Sequence, residues 1–134
     1  MIKNLKKYFL YLIAIGASIS FLLFFIACTW IGYEVRATCD LAQSNYSGDC
    51  VEAMSSLVDD ESMPFALRNS AVWSLGQLGD SRALTSLESH YTGEIPDREP
   101  LDEVLSQYEL RKAINLAKGG VNISAPFWRY SLAK

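Results

Sequence analysis

The apolar positions of this 134-residue chain fall into two regimes. From Tyr8 to Tyr33 the run YFLYLIAIGASISFLLFFIACTWIGY contains no charged residue. At about 1.5 Å per residue it is long enough to cross roughly 30 Å of hydrocarbon. Beyond Glu34 the apolar residues recur three and four positions apart, the spacing of helices that bury one face.

That spacing predicts a series of helices. Tyr33 to about Ala42 continues the first helix, and the polar, turn-prone stretch Gln43–Gly48 stops it. Asp49 is placed to cap a second helix that buries Val51, Met54, Leu57 and Val58, closed by Asp59-Asp60-Glu61-Ser62. Pro64 suits the first turn of a third helix, whose buried stripe runs through Leu67, Ala71, Leu75 and Leu78. Gly79 marks its stop and Asp80 caps the next helix, about Ser81 to Tyr91, which presents Ala83, Leu84, Leu87 and Tyr91. Thr92–Pro100 is a connection longer than a simple helix–helix turn. The last helix is expected from about Leu101 to Lys118, burying Val104, Leu105, Tyr108, Ala113, Ile114 and Leu116. The remaining VNISAPFWRYSLAK has no clear period and reads as a tail or cap.

The expected class is therefore all-α. It divides into an N-terminal anchor (1–33), a membrane-proximal helix and loop (34–48), a helical domain (49–120) and a tail (121–134). Lys3, Lys6 and Lys7 precede the apolar run and Glu34 follows it, which by the positive-inside tendency keeps the N-terminus in the cytoplasm. In a bacterium this makes an inner-membrane protein with a periplasmic C-terminal domain. Tyr8, Tyr11, Trp30 and Tyr33 sit near the two ends of the run, where amphipathic rings favour the interface. A rival reading takes Phe24-Phe25-Ile26-Ala27-Cys28 as a permissive lipobox, with Cys28 lipidated after cleavage. Against it, the residues after Cys28 stay apolar. A plain cleaved signal would need a small-x-small exit, and no clean one occurs.

Charge divides at the same boundary. All 15 acidic residues lie from Glu34 onward with nine of the 12 basic ones, so the exported part carries −6. An acidic domain without a Lys/Arg stripe argues against nucleic acid as its partner. Cys39 and Cys50 bracket CDLAQSNYSGDC in the exported part, where a disulfide can persist, with two free thiols as the alternative.

Internal similarity comes next. Ala53-Met54-Ser55-Ser56-Leu57 and Ala83-Leu84-Thr85-Ser86-Leu87 match 30 residues apart, each after an aspartate, Asp49 or Asp80. This is an A-B-A alternation of helices, with the last helix as the second B. The segment R-x-x-A-x-x-x-L-G-x-L-G-D-x-R-A-L-x-x-L, carried by Arg68, Ala71, Leu75, Gly76, Leu78, Gly79, Asp80, Arg82, Ala83, Leu84 and Leu87, resembles the HEAT-like repeats first associated with phycobilisome lyases. The resemblance implies a short α-solenoid of about two helix pairs, used for protein–protein contact. The last helix lacks the L-G-x-L-G-D that follows the first copy, so the second repeat is degenerate. Within the motif, Gly76 lets helices approach, Gly79 turns the chain and Asp80 caps.

Candidate chemistry is sparse. His90 is the only histidine, and neither Ser86 nor Ser89 sits in a nucleophile-elbow context. The carboxylates Asp59-Asp60-Glu61 and Asp97, Glu99, Asp102, Glu103 lack the alternation and glycine of a calcium loop. No catalytic, cofactor-binding or metal-ligating residue is expected. Arg68 and Trp73 remain as candidate partner-binding residues. The expected function is a membrane-anchored, non-catalytic interaction or scaffold module that binds the bilayer through residues 8–33 and a protein through its domain. The alternatives are an accessory lyase-like or small-ligand carrier protein, and an envelope lipoprotein.

Overall fold

A computed structural model describes residues 2–132; Met1, the side chains of Ile2, Lys3 and Asn4, and Ala133 and Lys134 at the end of the expected tail lie outside the described residues. The first helix, α1, is unbroken from Ile2 to Asn45. Its stretch from Leu5 is long and apolar enough to cross a membrane. The side chains from Leu5 to Leu23 are all exposed. From Phe24 onward one stripe turns inward, through Cys28, Val35, Cys39 and Ala42, at helical spacings of three and four. The C-terminal end of α1 is therefore also a core helix of the domain.

Four helices complete the core, with a short α6 at the end. They are α2 (Cys50–Asp59), α3 (Phe65–Leu78), α4 (Leu84–Ser89, entered through a 3-10 turn at Ser81–Ala83) and α5 (Gln107–Ala117). The tail adds α6 (Ala125–Trp128) and a 3-10 turn over Arg129–Ser131. No strand occurs among the described residues. α3 packs against α1, α2 and α5, α2 packs against α1 and α4, and α4 packs against α5. Met54, Leu57, Val58, Val72, Leu75, Leu87 and Leu110 fill the space between these helices.

The caps follow the sequence. Asp49 accepts from the Val51 and Glu52 amides, and the Glu52 side chain returns to the Asp49 amide, a complete capping box. Gly79 has φ +62°, a left-handed conformation that side-chain-bearing residues rarely adopt, and its amide donates to the Leu75 carbonyl. Asp80 accepts from the Arg82 amide at the next start. Pro64 stands one place earlier than expected, as the cap residue before α3 with extended ψ of 139°.

Two expectations about faces fail. The buried surface of α3 is not the stripe of Leu67, Ala71, Leu75 and Leu78, since Leu67 and Leu78 are only half-buried while Arg68, Asn69 and Ser74 are inside. The reason is position: α3 is packed by α1, α2 and α5 together, so more than one side is covered.

The last helix starts at Gln107 and not near Leu101, leaving Val104 and Tyr108 exposed and Leu105 half-buried. The helix start is set by polar groups. Ser106 caps the Glu109 amide, and the Glu99 carboxylate accepts from the Ser106 hydroxyl and the Gln107 and Tyr108 amides. A carboxylate on those first amides also meets the positive end of the helix dipole.

Candidate functional site

The polar residues of the domain are spent on joining helices. Arg82, two residues past the cap residue Asp80, donates to Asp80 and reaches back to Asp49 at 2.6 Å. The two equivalent caps thus share one guanidinium. Arg82 leads the causes that hold both carboxyls below the ordinary aspartate value, with the Glu52 amide adding to the effect at Asp49. This three-residue clamp ties the start of α2 to the start of α4.

A second tie sits at the other end of the same two helices. Asp59 accepts from the Ser86 hydroxyl at 2.8 Å and lies 3.0 Å from His90 Nε2. The fold has brought an acid, a serine and a histidine together, but in the wrong order for acyl transfer. A catalytic serine gives its proton to the imidazole, with the acid behind it. Here the acid stands between the two, and the Ser86 hydroxyl is bonded to it directly. The cluster is a cross-link from α2 to α4.

Arg68 lies inside the domain. It is 4% exposed, its guanidinium lies over the Phe65 ring, and its Nε donates to the Val58 carbonyl at 2.8 Å. That carbonyl belongs to the last turn of α2, where intrahelical donors run out and the dipole is negative, so a buried cation is well placed there. Trp73 is half-buried, one turn from Asn69 and one turn from Gln77 on the same side of α3. Of the two residues, only Trp73 retains surface for a contact.

Sequence reasoning passed over Asn69 and Gln77. Asn69 Nδ2 donates to the Leu101 and Val104 carbonyls, and its Oδ1 accepts from the Ser106 amide, so one side chain holds the loop that leads into α5. The Gln77 carbonyl accepts from Arg129, and its side chain from Asn122, which fastens the tail. A polar residue inside an otherwise helical apolar pattern was the available signal. Its partners lie more than 30 residues away, so spacing alone does not name them.

The tail closes over the C-terminal part of α1. The Phe127 ring meets Phe24 and Phe25 edge-on at centroid distances of 5.3 and 5.4 Å. Trp128 presses on Gly32 so closely that a Cβ there would lie 2.7 Å from its own. Cys28, one turn below Gly32, is 2% exposed. Cys39 and Cys50 are joined as a disulfide with Cα atoms 5.2 Å apart, linking α1 to the start of α2.

A concavity of about 660 Å³ lies where α1, the start of α2 and the tail meet. Its cations are already engaged: Arg82 on Asp49 and Asp80, Arg36 on the Ser131 carbonyl and Arg129 on the Gln77 carbonyl. Among the described residues no group of three or more His, Cys, Asp or Glu is arranged to hold a metal ion. The arrangement supplies shape and charge balance, without a nucleophile–base pair. Compared with protein-family models, curated proteins and solved structures, the chain matches none.

Proposed function

We propose that this chain is a single-pass inner-membrane protein with a cytoplasmic N-terminus that displays a short HEAT-like helical domain on the outer side of the membrane, where it docks or scaffolds another protein. The observation that carries the reading is the set of helix contacts, α2 with α4, joined by the Arg82 clamp, and α3 with α5, which we read as two rows of A and B helices. A stack of two pairs normally leaves both ends bare, because each repeat buries its face only against neighbours. Here α1 lies in the B row before α3 and covers one end. The other end, at α5, keeps Tyr108, Arg111 and Lys112 in solvent.

Retention of the apolar helix is favoured over processing at Cys28. Cleavage there would remove Phe24 and Phe25, the residues on which Phe127 rests, and would expose a thiol that is now covered. Intact-mass measurement on membrane-extracted protein is expected to show the full chain, and a loss of 27 residues with added acyl mass would reject this.

The contact surface is assigned to the flank of α3 at Trp73, because large amphipathic rings carry much of the energy of protein contacts. Crosslinking from native membranes should capture one protein with the intact chain and lose it with a folded Trp73→Ala variant. Undiminished capture by that variant would reject the surface. A small molecule that co-purifies reproducibly would instead favour a ligand carrier.

A further inference from the structure

The uncharged run Tyr8–Tyr33 covers about 39 Å as a helix, about 9 Å more than a hydrocarbon core needs. With that excess at its C-terminal end, about six residues up to Tyr33 stand in the interface, and the tail meets α1 from there down to Phe24, about one turn deeper. Asn122 is tied to Gln77 at 2.8 Å, Phe127 rests on Phe24 and Phe25, Trp128 on Gly32, and the Ser131 carbonyl accepts from Arg36 at 2.6 Å. With α1 as a ruler, Phe25 lies about 16 Å along the axis from Arg36. The segment therefore leaves the domain, descends beside α1 and climbs back.

Its outward side is apolar. Val121, Ile123, Phe127 and Tyr130 are 88%, 71%, 54% and 82% exposed, whereas the polar groups are satisfied internally: Trp128 Nε1 donates to Ser124, Ser124 to Asn122, and Arg129 to the Gln77 carbonyl. Four large apolar side chains turned out from so short a segment are costly in water. The lowest point of the dip lies against a part of α1 whose neighbours Phe21, Leu22 and Leu23 face only the surroundings of the helix.

We propose that Val121–Tyr130 is a second membrane contact, which seats these side chains in the outer-leaflet interface beside α1. The inference rests on the reading that α1 spans the bilayer. Lipid is the occupant because the surface is continuous with the spanning helix, at a depth a water-soluble partner does not reach. The guanidinium of Arg36 binds the upper end of the segment, where charged groups favour the headgroup region. The domain would then be held down at two points and its orientation to the membrane limited.

The test uses the full chain with Cys28→Ser in lipid nanodiscs, spin-labelled in turn at Ile123→Cys, Phe127→Cys, Leu12→Cys and Glu61→Cys. Accessibility to oxygen, which concentrates in lipid, is compared with accessibility to a water-soluble nickel chelate. Oxygen should dominate at Leu12, Ile123 and Phe127, and the chelate at Glu61. Chelate-dominated labels at 123 and 127 with a lipid-exposed Leu12 would overturn the tail's membrane contact while leaving the spanning helix intact. A chelate-accessible Leu12 would overturn the spanning reading itself. Labels at 123 and 127 shielded from both reagents would also overturn the proposal, because a protein and not lipid would then cover the segment. Ile123→Cys leaves the Phe127 stacking in place, so the result does not depend on a disturbed contact.

Discussion

Asn69 shows how much of this domain depends on single side chains. Its carboxamide satisfies two carbonyls and one amide of a loop 32 to 37 residues away, and it is 8% exposed. Replacing it with leucine leaves buried polar groups without partners, at about 1–3 kcal/mol for such groups. Asn69→Leu should therefore lower the urea midpoint and expose the 101–106 loop to limited proteolysis ahead of the rest of the domain. Gly76 is the second sensitive position. A Cβ there would fall 2.8 Å from the Ala113 Cα, so α3 and α5 must separate to admit it. Overpacking costs about 1–3 kcal/mol against a helix-propensity gain of about 1 kcal/mol. Gly76→Ala is expected to lower Tm despite that gain, and Gly76→Val to lower it further.

At the scale of elements, the caps at Asp49 and Asp80 carry part of the pH dependence, beside Asp60, whose carboxyl the Ser62 and Tyr46 hydroxyls hold below the ordinary value. Asp49 and Asp80 both have carboxyls held below the ordinary value, chiefly by Arg82. Their contribution is complete above the unfolded-state value of about 3.9 and disappears as pH falls through the lower folded values. Melting curves between pH 7 and pH 2 should show the wild type losing Tm below about pH 4. Arg82→Ala should start from a lower Tm and lose less over the same range, since its caps titrate nearer the unfolded value. An equal slope in both proteins would show that the clamp is not what the acid breaks. The start of α5 belongs to the same scale. Leu101–Leu105 looks helical in its apolar spacing, and a local reading extends the helix through it. Glu99 and Ser106 override that spacing by offering the amides of Gln107, Tyr108 and Glu109 better partners at a later start.

In the whole molecule, one helix carries both the long apolar run and a buried stripe that packs into the helical domain. The disulfide Cys39–Cys50 and the Tyr46–Asp60 hydrogen bond of 2.6 Å lock the corner where that helix meets α2. Closing a loop of this length stabilises by roughly 2–3 kcal/mol on the chain-entropy view. Reduction, or Cys39→Ser with Cys50→Ser, should lower domain stability by that order in a denaturant melt. It should leave membrane association unchanged, because the apolar run does not involve the bond. Loss of membrane association on reduction would show that the corner, and not the apolar run, sets the attachment.

What the residues determined alone is whatever depends on neighbours within a turn or two. That covers the long apolar helix, the caps at Asp49 and Asp80, the left-handed stop at Gly79 and the all-helical class, because these follow from periodicity and from backbone groups satisfied locally. Tertiary structure decided what each polar side chain is for. Arg68 reads from its sequence context as a candidate for partner contact, yet the packing of α3 against α1, α2 and α5 buries it over the end of α2. The tail has no period of its own, and it takes its shape from Phe24, Gly32 and Gln77, which lie about 45 to 100 residues earlier in the chain. Contacts at such separations depend on the path of the whole backbone, and no local spacing records that path.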